Sequence, residues 1–179
     1  AAANTLKPGY DWFFPYYRDR ALALGLGVTA LDMLLAAVGS KDDPANAGRQ
    51  MPSHWSSRAL HIPSQSSCVG THALHAVGCA EAAGIYERVQ QIPGREGRFH
   101  DDEVTYISIG DGGTSEGEFW ESINTAASLR LPLVILVEDN GYAISTPVAA
   151  QTPGGDIAGI MDHVPGLTVL RCDGTDFAE

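Results

Sequence analysis

The stretch from Val104 to Pro147 limits the possible folds of this chain more than any other part of the sequence. Val104–Ile109 is a β-branched and aromatic run with charged residues before it and a glycine after it, which is typical of a buried strand. Leu133–Val137 is aliphatic throughout and predicts a parallel strand that is covered on both faces. The stretch therefore predicts two neighbouring strands of a parallel sheet.

A helix is predicted between these two strands. Apolar residues that include Phe119 and Ile123 recur at helical spacing, and Pro132 ends the pattern. Ser115, with Glu118 three positions later, predicts a capping box at the start of the helix. Strand, helix and strand in this order form a βαβ unit.

Polar residues follow both predicted strands. Asp111 lies just past the first strand and Asn140 just past the second, so a right-handed crossover brings both to one edge of the sheet. Open α/β sheets bind ligands at this edge, and carboxylate, amide and carbonyl oxygens suit Mg²⁺. Gly112 and Gly113 leave room for a phosphate beside a helix N-terminus. The residues alone therefore predict Mg²⁺-bridged binding of a phosphorylated ligand.

Other interpretations of the same residues stay open. Asp-Gly and Asn-Gly are common turn formers, and Asp often starts a helix, so either residue taken alone also fits a structural turn. GDGG lacks the third spaced glycine of a dinucleotide fingerprint, and the absence of GK[ST] from the sequence excludes a P-loop. The alternatives are a non-catalytic module that binds Mg²⁺ and diphosphate and acts only through a partner, and an unrelated Mg²⁺-dependent phosphoryl enzyme on a doubly wound sheet.

The N-terminal third predicts helices followed by a long loop. Residues 1–15 are interpreted as an irregular or extended segment that docks on the rest of the protein. A mostly helical stretch then opens at Tyr16, and a second helix is predicted from about Thr29 to Val38, with Thr29 and Asp32 as its capping box. Gly39–Ser67 has no sustained apolar periodicity and is predicted to be a functional loop.

Later segments complete one predicted domain over residues 1–179, unfinished at its C-terminal end. A helix of small residues follows Thr71, and its small faces favour close packing against another element or a subunit. Gln90–Glu103 is predicted to be a charged loop, Ile157–Met161 a short apolar element and Leu167–Cys172 a third strand. Residues 173–176 are predicted to start a further helix.

Charge and cysteine content limit the class of protein. A net charge of −11 argues against general nucleic-acid binding and against attraction to an anionic membrane. No apolar run reaches transmembrane length, and the N-terminus lacks the pattern of a signal peptide. Cys68, Cys79 and Cys172 are odd in number, lack CxxC spacing and suit free thiols in a reducing compartment. We therefore expect a soluble intracellular protein, cytoplasmic or alternatively in the mitochondrial matrix.

Four histidines allow a metal or an acid–base interpretation. His54 and His61 lie in the long loop, where nothing nearby in the sequence completes a site, so surface or hydrogen-bonded histidines are favoured. His72 and His75 have the i, i+3 spacing of a zinc pair, but without a third ligand nearby ordinary packing is favoured.

Three separated motif blocks resemble one known family over nearly the whole chain. Gly110-Asp111-Gly112, followed about thirty residues later by Asp139-Asn140, resembles the GDG…NN motif for thiamine diphosphate. The residues between them look like the alpha subunit of 2-oxo acid dehydrogenases. Asn140–Pro147 and Gly48–Pro52 are similar to the branched-chain type in particular.

The resemblance implies a fold, two cofactors and a set of site residues. The fold is the thiamine diphosphate-binding fold, an α/β structure with a parallel sheet between helices in three layers. The cofactors are thiamine diphosphate and Mg²⁺, with Asp111, the Asn140 amide and the Tyr142 carbonyl as metal ligands. The residues implied to bind the cofactor are Tyr17, Arg18, Ser67, Val69, Gly110, Asp111, Gly112, Gly113, Asn140 and Tyr142.

Two positions depart from the pattern of the branched-chain relatives. Glu138 replaces an arginine near the phosphates, and a glutamate there is expected to repel them. Ser66, Cys68 and Thr71 match a monovalent-cation site of those relatives, but His72 replaces a glutamine. Neither the phosphate role nor the cation is carried over to this chain.

The resemblance also implies an activity and partners. The activity is oxidative decarboxylation of a branched-chain 2-oxo acid, with pyruvate as the alternative substrate, and acyl transfer to a lipoyl group. The partners are a beta subunit, in a heterotetramer or a fused alpha–beta dimer, and a lipoyl acyltransferase. In this family the acid–base groups lie in the beta subunit or further along the alpha subunit, so no catalytic residue is assigned to this segment.

Overall fold

The computed structural model describes residues 1–89, 92–93 and 99–176, and it has a three-stranded parallel sheet between helices. The helices are α1 Ala2–Thr5, α2 Arg20–Leu26, α3 Ala30–Ala37, α4 Thr71–Arg88, α5 Gly117–Leu129, α6 Val148–Gln151 and α7 Ile157–Met161. The strands are β1 Trp12–Phe14, β2 Thr105–Gly110, β3 Leu133–Glu138, β4 Tyr142–Ala143 and β5 Thr146–Pro147. Short 3₁₀ turns occupy Asp111–Ser115 and Pro153–Gly155.

The sheet has the order β1–β2–β3, with all three strands parallel. The predicted βαβ unit is confirmed, because β2, α5 and β3 follow one another and β2 pairs with β3 along six residues. Every residue of the central strand β2 is buried. Strand β1 was not predicted: the segment that was expected only to dock pairs with β2, Trp12 opposite Thr105, and forms part of the sheet.

A buried carboxylate ties the starts of two neighbouring strands together. Asp11 precedes β1 and accepts the backbone N–H of Lys7 at 2.7 Å and that of Val104 at 2.9 Å. Val104 directly precedes β2, so this one side chain joins chain segments 93 residues apart. A strand of only three residues is therefore held in register by a tertiary contact.

Helices pack on both faces of the sheet, and the long loop joins them on the second face. On the first face, Ile107 packs with Ala73 and Ala76 of α4, and Ile109 packs with Phe119 of α5. On the second face, Phe13 and Tyr106 pack against α2 and against buried residues of the long loop, Trp55 and Ile62. This arrangement is the α/β fold of helices around a parallel sheet.

The prediction that β3 is covered on both faces is wrong. Its residues alternate in burial, and the side chains of Val134 and Leu136 are 47% and 38% exposed. Val134 is paired with Tyr106 in the sheet and therefore lies on the second face, which α2 and the long loop cover only over β1 and β2. A purely aliphatic sequence did not distinguish a strand covered on both faces from an edge strand with one open face.

One predicted capping box is present and the other is not. The Thr29 hydroxyl accepts the N–H of Asp32, and the Asp32 carboxylate accepts the N–H of Thr29, as predicted for α3. At α5 the prediction is wrong, because Ser115 is still part of the 3₁₀ turn and Glu116 is the N-cap, without a side-chain bond. The 3₁₀ turn after β2 extends to Ser115, so this residue is not available as the N-cap of α5.

Thr29→Ala is expected to lower the free energy of unfolding by about 1 kcal/mol, because it removes the side-chain acceptor of the α3 N-terminus. The exposed Ser128 on α5 is the control, and Ser128→Ala is expected to change it by less than about 0.5 kcal/mol. Urea unfolding of both variants measures the difference, and equal midpoints would contradict the role of Thr29.

The remaining predictions have mixed outcomes. The long loop and the short helix Ile157–Met161 are confirmed, and residues 39–70, all of them described, contain a single isolated bridge, Ser57 to Ile62. The third strand at Leu167–Cys172 is wrong, since these residues pair with no strand of the described sheet and Leu170 is exposed. Half of the predicted charged loop lies outside the described residues. Residues 173–176, which were predicted to start a further helix, form a turn, and the residues after them lie outside the described part of the chain. Within the described part of the chain, no helix combines the length and apolar composition needed to cross a bilayer.

Candidate functional site

The turn after β2 buries a carboxylate at the edge of the sheet. Strand β2 ends at Gly110, and the chain continues directly into the 3₁₀ turn that begins with Asp111. Asp111 is only 1% exposed, and its backbone carbonyl accepts the Thr114 hydroxyl at 2.6 Å. A carboxylate is therefore held rigidly at the carboxyl end of the central strand, where α/β sheets bind ligands.

Gly112 and Gly113 are required by close packing. A Cβ on Gly112 would lie 2.5 Å from the Cβ of Ala143, and a Cβ on Gly113 would lie 2.6 Å from Cγ1 of Ile109. Neither distance is tolerable, so any side chain here would push apart the turn, strand β2 and the segment that carries Ala143. The glycines were predicted to give a phosphate access, and the structure adds that Gly112 lets the β4–β5 segment approach the turn while Gly113 lets the turn pack on Ile109 of β2.

The chain after β3 forms two consecutive polar turns beside this first turn. The Asp139 carboxylate accepts the N–H of Gly141 at 2.8 Å, and the Asn140 amide oxygen accepts the N–H of Tyr142 at 3.0 Å. Gly141 has φ +82°, which a side chain rarely tolerates. The antiparallel pair β4–β5 follows and places Ala143 against Gly112. The ends of β2 and β3 thus meet, as the sequence predicted.

Gln151 on α6 completes the immediate surroundings of Asp111. Its Nε2 donates to Oδ2 of Asp111 at 3.1 Å. This residue could not be predicted from the sequence, because nothing local distinguishes a glutamine 40 positions away from an ordinary surface residue. The βαβ pattern and the tight turn at Gly141 were the only signals that the segment after β3 returns to Asp111.

The N-terminal segment reaches the same end of the sheet. A Cβ on Gly110 would lie 3.1 Å from the Tyr16 hydroxyl, so the Tyr16 ring lies directly against the end of β2. The Arg18 guanidinium lies 5.5 Å from the ring centre of Tyr16 and 5.7 Å from that of Tyr17. Tyr17 and Arg18 are both exposed, so a cation and a phenol are available beside the strand end.

The segment before α4 brings one of its two predicted ligands to the turn. Cγ1 of Val69 lies 3.5 Å from the position of a Cβ on Gly113, so Val69 borders the glycine turn. The Ser67 hydroxyl is hydrogen bonded to Nε2 of His54 at 2.8 Å and to Oε1 of Gln50 at 3.4 Å, and neither of these partners belongs to the turn. The prediction that His54 is a hydrogen-bonded histidine is confirmed by this contact and by its bond to the carbonyl of Pro52.

His72 packs as a buried histidine, as the sequence analysis favoured. Its Nε2 is hydrogen bonded to the carbonyl of Ser108 in β2 at 2.8 Å, and burial lowers the pKa of the ring. In the segment that resembles the cation site, the Ser66 hydroxyl accepts a hydrogen bond from the backbone N–H of Cys68 at 3.2 Å. The cation site stays untested by these contacts.

Glu138 lies at the end of β3, opposite Gly110, and is half-buried. Burial and the neighbouring Asp19 carboxyl raise its pKa to about 8, while Arg18 acts in the opposite direction. Asp19 is itself buried and accepts the N–H of Tyr16 at 2.8 Å and the hydroxyl of Ser108. A Glu138 that holds a proton near neutral pH is a neutral hydrogen-bond donor, so the repulsion of a phosphate expected from the sequence is weakened there.

Glu138→Gln is expected to flatten the pH dependence of stability. The folded pKa of about 8 exceeds the ordinary glutamate pKa of 4.5, so the folded state binds the proton more tightly than the unfolded state. Its stabilising effect is therefore present below pH 4.5 and is lost as the pH rises to about 8. For a half-buried group this loss amounts to about 1–2 kcal/mol after solvent screening.

Urea unfolding at pH 5 and pH 8.5 measures this effect. The wild type is expected to lose more stability over this interval than Glu138→Gln does. Glu121→Gln, at an exposed position on α5, is the control and should behave like the wild type. Parallel pH profiles for wild type and Glu138→Gln would show that the carboxyl titrates normally.

The oxygen atoms at the two strand ends fit a hard divalent cation better than a transition metal. Among residues 1–89, 92–93 and 99–176, no three His, Cys, Asp or Glu side chains form a metal-binding cluster. The site instead offers one buried carboxylate at Asp111 and amide and carbonyl oxygens near Asn140, and it leaves positions for ligand oxygens. Mg²⁺ is usually bound in this way, through one or two carboxylates together with substrate phosphates.

A comparison with protein-family models identifies the class of protein. The model for the dehydrogenase E1 component matches residues 1–179. The chain belongs to this family, whose members depend on thiamine diphosphate.

Individual relatives carry more specific names. The chain is similar to the 2-oxoisovalerate dehydrogenase subunit alpha of Bacillus subtilis, 34% identical over 170 residues, which are 94% of this chain and 48% of the relative. It is 32% identical to 2-oxoisovalerate dehydrogenase subunit alpha 2, mitochondrial, of Arabidopsis thaliana, over 98% of the chain and 34% of the relative. It is 34% identical to the 3-methyl-2-oxobutanoate dehydrogenase subunit alpha of Mycobacterium tuberculosis, over 93% of the chain and 39% of the relative. The chain thus spans between a third and half of the length of these relatives.

Proposed function

We propose that this chain is the cofactor-binding part of the alpha subunit of a thiamine diphosphate-dependent dehydrogenase for branched-chain 2-oxo acids. The observation that carries the proposal is the meeting of two strand ends, with Asp111 after β2 and the Asn140–Tyr142 turn after β3. The names of the relatives, all alpha subunits of dehydrogenases for branched-chain 2-oxo acids, support the choice of substrate.

The metal ligands in this proposal are the Asp111 carboxylate, the Asn140 amide oxygen and the Tyr142 carbonyl. The Asn140 oxygen accepts one hydrogen bond, from Tyr142, and an amide oxygen has a second lone pair for a metal. Asp111 binds Gln151 through Oδ2 only. The side chains of Asp111 and Asn140 are therefore held in place by these hydrogen bonds and still have oxygen lone pairs that can bind a metal.

Residues of the N-terminal segment would help to hold the diphosphate. Arg18 supplies a cation and Tyr17 a hydroxyl, both exposed beside Gly110. Ser67, Val69, Gly112 and Gly113 complete the proposed cofactor-binding set, with Val69 bordering the glycine turn. Glu138, protonated at neutral pH, adds a hydrogen-bond donor at the same strand end where an ionised carboxylate would repel the anion.

Thiamine diphosphate, when bound, supplies the carbon centre that attacks a 2-oxo group and accepts electrons as carbon dioxide leaves. The described residues contribute binding and orientation, and we assign no proton transfer to any of them. The acyl unit would pass to the lipoyl group of a partner acyltransferase. A beta subunit would complete the active site, in the cytoplasm or in the mitochondrial matrix.

Thermal melting with a panel of ligands tests the binding part of the proposal. A ligand at a hundred times its dissociation constant stabilises a protein by about 2.7 kcal/mol, which shifts the midpoint by several degrees. We expect this shift only with thiamine diphosphate and Mg²⁺ together, and neither with thiamine and Mg²⁺ nor with ADP and Mg²⁺. A larger shift with ADP would favour a phosphoryl enzyme, and no shift even with a beta subunit present would contradict the proposal.

Substrate preference is tested with the assembled enzyme. The alpha subunit of which this chain is proposed to be a part, together with a beta subunit and a lipoyl acyltransferase, is expected to decarboxylate 2-oxoisovalerate with a higher kcat/KM than pyruvate. A preference for pyruvate would reassign the substrate and leave the cofactor site intact. Cofactor binding without any decarboxylation in this assembly would instead favour a non-catalytic binding module.

A further inference from the structure

The hydrogen bond from Gln151 to Asp111 joins the two halves of the proposed metal site. Asp111 lies in the turn after β2, whereas Asn140 and Tyr142 lie in the segment after β3. Gln151 is the last residue of α6, which follows that second segment through β4 and β5. Its Nε2 reaches Oδ2 of Asp111 at 3.1 Å. The Gln151 side chain therefore fixes the carboxylate relative to the segment that carries the two neutral ligands.

Contacts of the backbone hold α6 in the position from which Gln151 reaches the turn. The N–H of Val148, the first residue of α6, donates to the carbonyl of Gly141 at 2.9 Å. A Cβ on Gly112 would lie 2.5 Å from the Cβ of Ala143 and 3.9 Å from Oε1 of Gln151. The Gln151 amide is thus packed beside the glycine turn, and its position is set by the fold of this segment.

The bond makes the two oxygens of the Asp111 carboxylate unequal. Oδ2 accepts the N–H of Gln151, and no other hydrogen bond to the carboxylate comes from residues 1–89, 92–93 and 99–176. An ionised carboxylate only accepts hydrogen bonds, so the amide nitrogen of Gln151 must face it. A metal that used both oxygens would have to share Oδ2 with this N–H, whose hydrogen carries a partial positive charge. Oδ1 carries no such donor.

The number of carboxylate oxygens that a site offers separates Mg²⁺ from Ca²⁺. Mg²⁺ requires nearly octahedral coordination at about 2.0–2.1 Å, whereas Ca²⁺ takes about six to eight oxygen ligands and accepts carboxylates through both oxygens. Side chains that hold a metal ligand by a hydrogen bond tune the affinity of the site in this way. A carboxylate that is limited to one oxygen therefore favours the smaller ion.

We propose that Gln151 is a positioning residue that restricts Asp111 to one metal-binding oxygen, Oδ1, and thereby makes the site prefer Mg²⁺ over Ca²⁺. Gln151 acts through Asp111 and contacts neither the metal nor the diphosphate. This role rests on the proposed function, because it concerns the metal of the same site.

Calorimetric titration with thiamine diphosphate, at one fixed concentration of either Mg²⁺ or Ca²⁺, tests the proposal. The protein is the alpha subunit of which this chain is proposed to be a part, assembled with a beta subunit and freed of metal. The measured quantity is the dissociation constant in Ca²⁺ divided by that in Mg²⁺, which we expect to exceed one in the wild type. Gln151→Met roughly keeps the length of the side chain and removes the donor, so the ratio should fall about fivefold or more.

Two further variants serve as the control and the replicate. Ala150→Met places the same new side chain at the exposed neighbouring position of α6, and it should change the ratio less than about twofold. Gln151→Asn keeps an amide that is too short to reach Asp111 and should lower the ratio as Gln151→Met does.

The ratio distinguishes this role from a merely structural one, which would weaken binding in both metals by the same factor. A wild-type ratio below one, or a ratio that does not fall in either Gln151 variant, would overturn the proposal while the cofactor site itself stands. An equal fall in Ala150→Met would overturn it as well. A wild type that binds no thiamine diphosphate with either metal would contradict the proposed function, and the role of Gln151 with it.

Discussion

Asp111→Ala is expected to weaken the binding of thiamine diphosphate in the presence of Mg²⁺ by about 100-fold or more. The proposed site has a single carboxylate ligand, and the other proposed protein ligands are neutral oxygens from Asn140 and Tyr142. Removing the one charged side chain among the proposed ligands removes most of the attraction between the protein ligands and Mg²⁺. Because the metal is proposed to link the protein to the diphosphate, the loss should appear in the affinity for the cofactor. Calorimetric titration measures it.

Two matched variants separate a lost ligand from a damaged fold. Asp111→Asn keeps the shape of the side chain and an oxygen ligand, so we expect an intermediate loss of about tenfold. Asp139→Asn removes a carboxylate at the neighbouring strand end but keeps an acceptor for the N–H of Gly141, so binding should change less than about threefold. Equal losses in the Asp139 and Asp111 variants would mean that general charge, and not a metal ligand, governs binding.

Phe119→Ala is expected to lower the free energy of unfolding by about 3–5 kcal/mol. The Phe119 ring is 1% exposed and packs against Ile109 of β2 and against Ile157 and Met161 of α7. Its removal leaves a cavity between the helix of the βαβ unit and the strand that carries Asp111. Urea unfolding measures the loss, and Phe119→Leu, expected to lose about 1–1.5 kcal/mol, serves if the alanine variant does not fold.

The adjacent Trp120 is the control for this prediction. Its side chain is 39% exposed, and its ring packs edge-on against Phe119 with centres 5.7 Å apart. Trp120→Ala removes a larger side chain but less buried surface, so we expect a loss of about 1–1.5 kcal/mol. A greater loss from Trp120→Ala than from Phe119→Ala would contradict the assignment of Phe119 to the buried face of α5.

The βαβ unit could be predicted from the sequence because its signals are local. The aliphatic run of β3, the apolar period of α5 and the polar residues after each strand all lie within 44 consecutive residues, 104–147. The capping box of α3 was predictable for the same reason, since Thr29 and Asp32 supply both halves of it. The meeting of Asp111 with the segment after β3 then followed from the rule that parallel strands end at one edge.

The features that could not be predicted depend on contacts between distant residues. Strand β1 has three residues, and its place in the sheet depends on pairing with β2 and on the Asp11 bridge to Val104. Gln151 reaches Asp111 only because the β4–β5 pair turns the chain back. Leu167–Cys172 has the composition of a strand but lacks a partner strand in the described sheet, and composition cannot report a missing partner.

The site residues illustrate the same limit. Glu138 was expected to repel phosphate because its charge was taken from the residue type, whereas its half-buried position beside Asp19 raises its pKa to about 8. Gly112 was interpreted as access for a ligand, and the packing of Ala143 against it adds a second reason for glycine. In both cases the residue was identified correctly, and its physical role depended on neighbours that are far away in sequence.

The most direct test of the cofactor site is electron–nuclear double resonance with Mn²⁺ in place of Mg²⁺ and thiamine diphosphate added to the chain. A metal that bridges Asp111 and the diphosphate predicts hyperfine coupling of the bound Mn²⁺ to ³¹P in the wild type. The coupling should be lost in Asp111→Ala and kept in Asp139→Asn. Thiamine diphosphate that binds without ³¹P coupling to the metal, or coupling that persists in Asp111→Ala, would contradict the assignment of this strand end as the metal and diphosphate site.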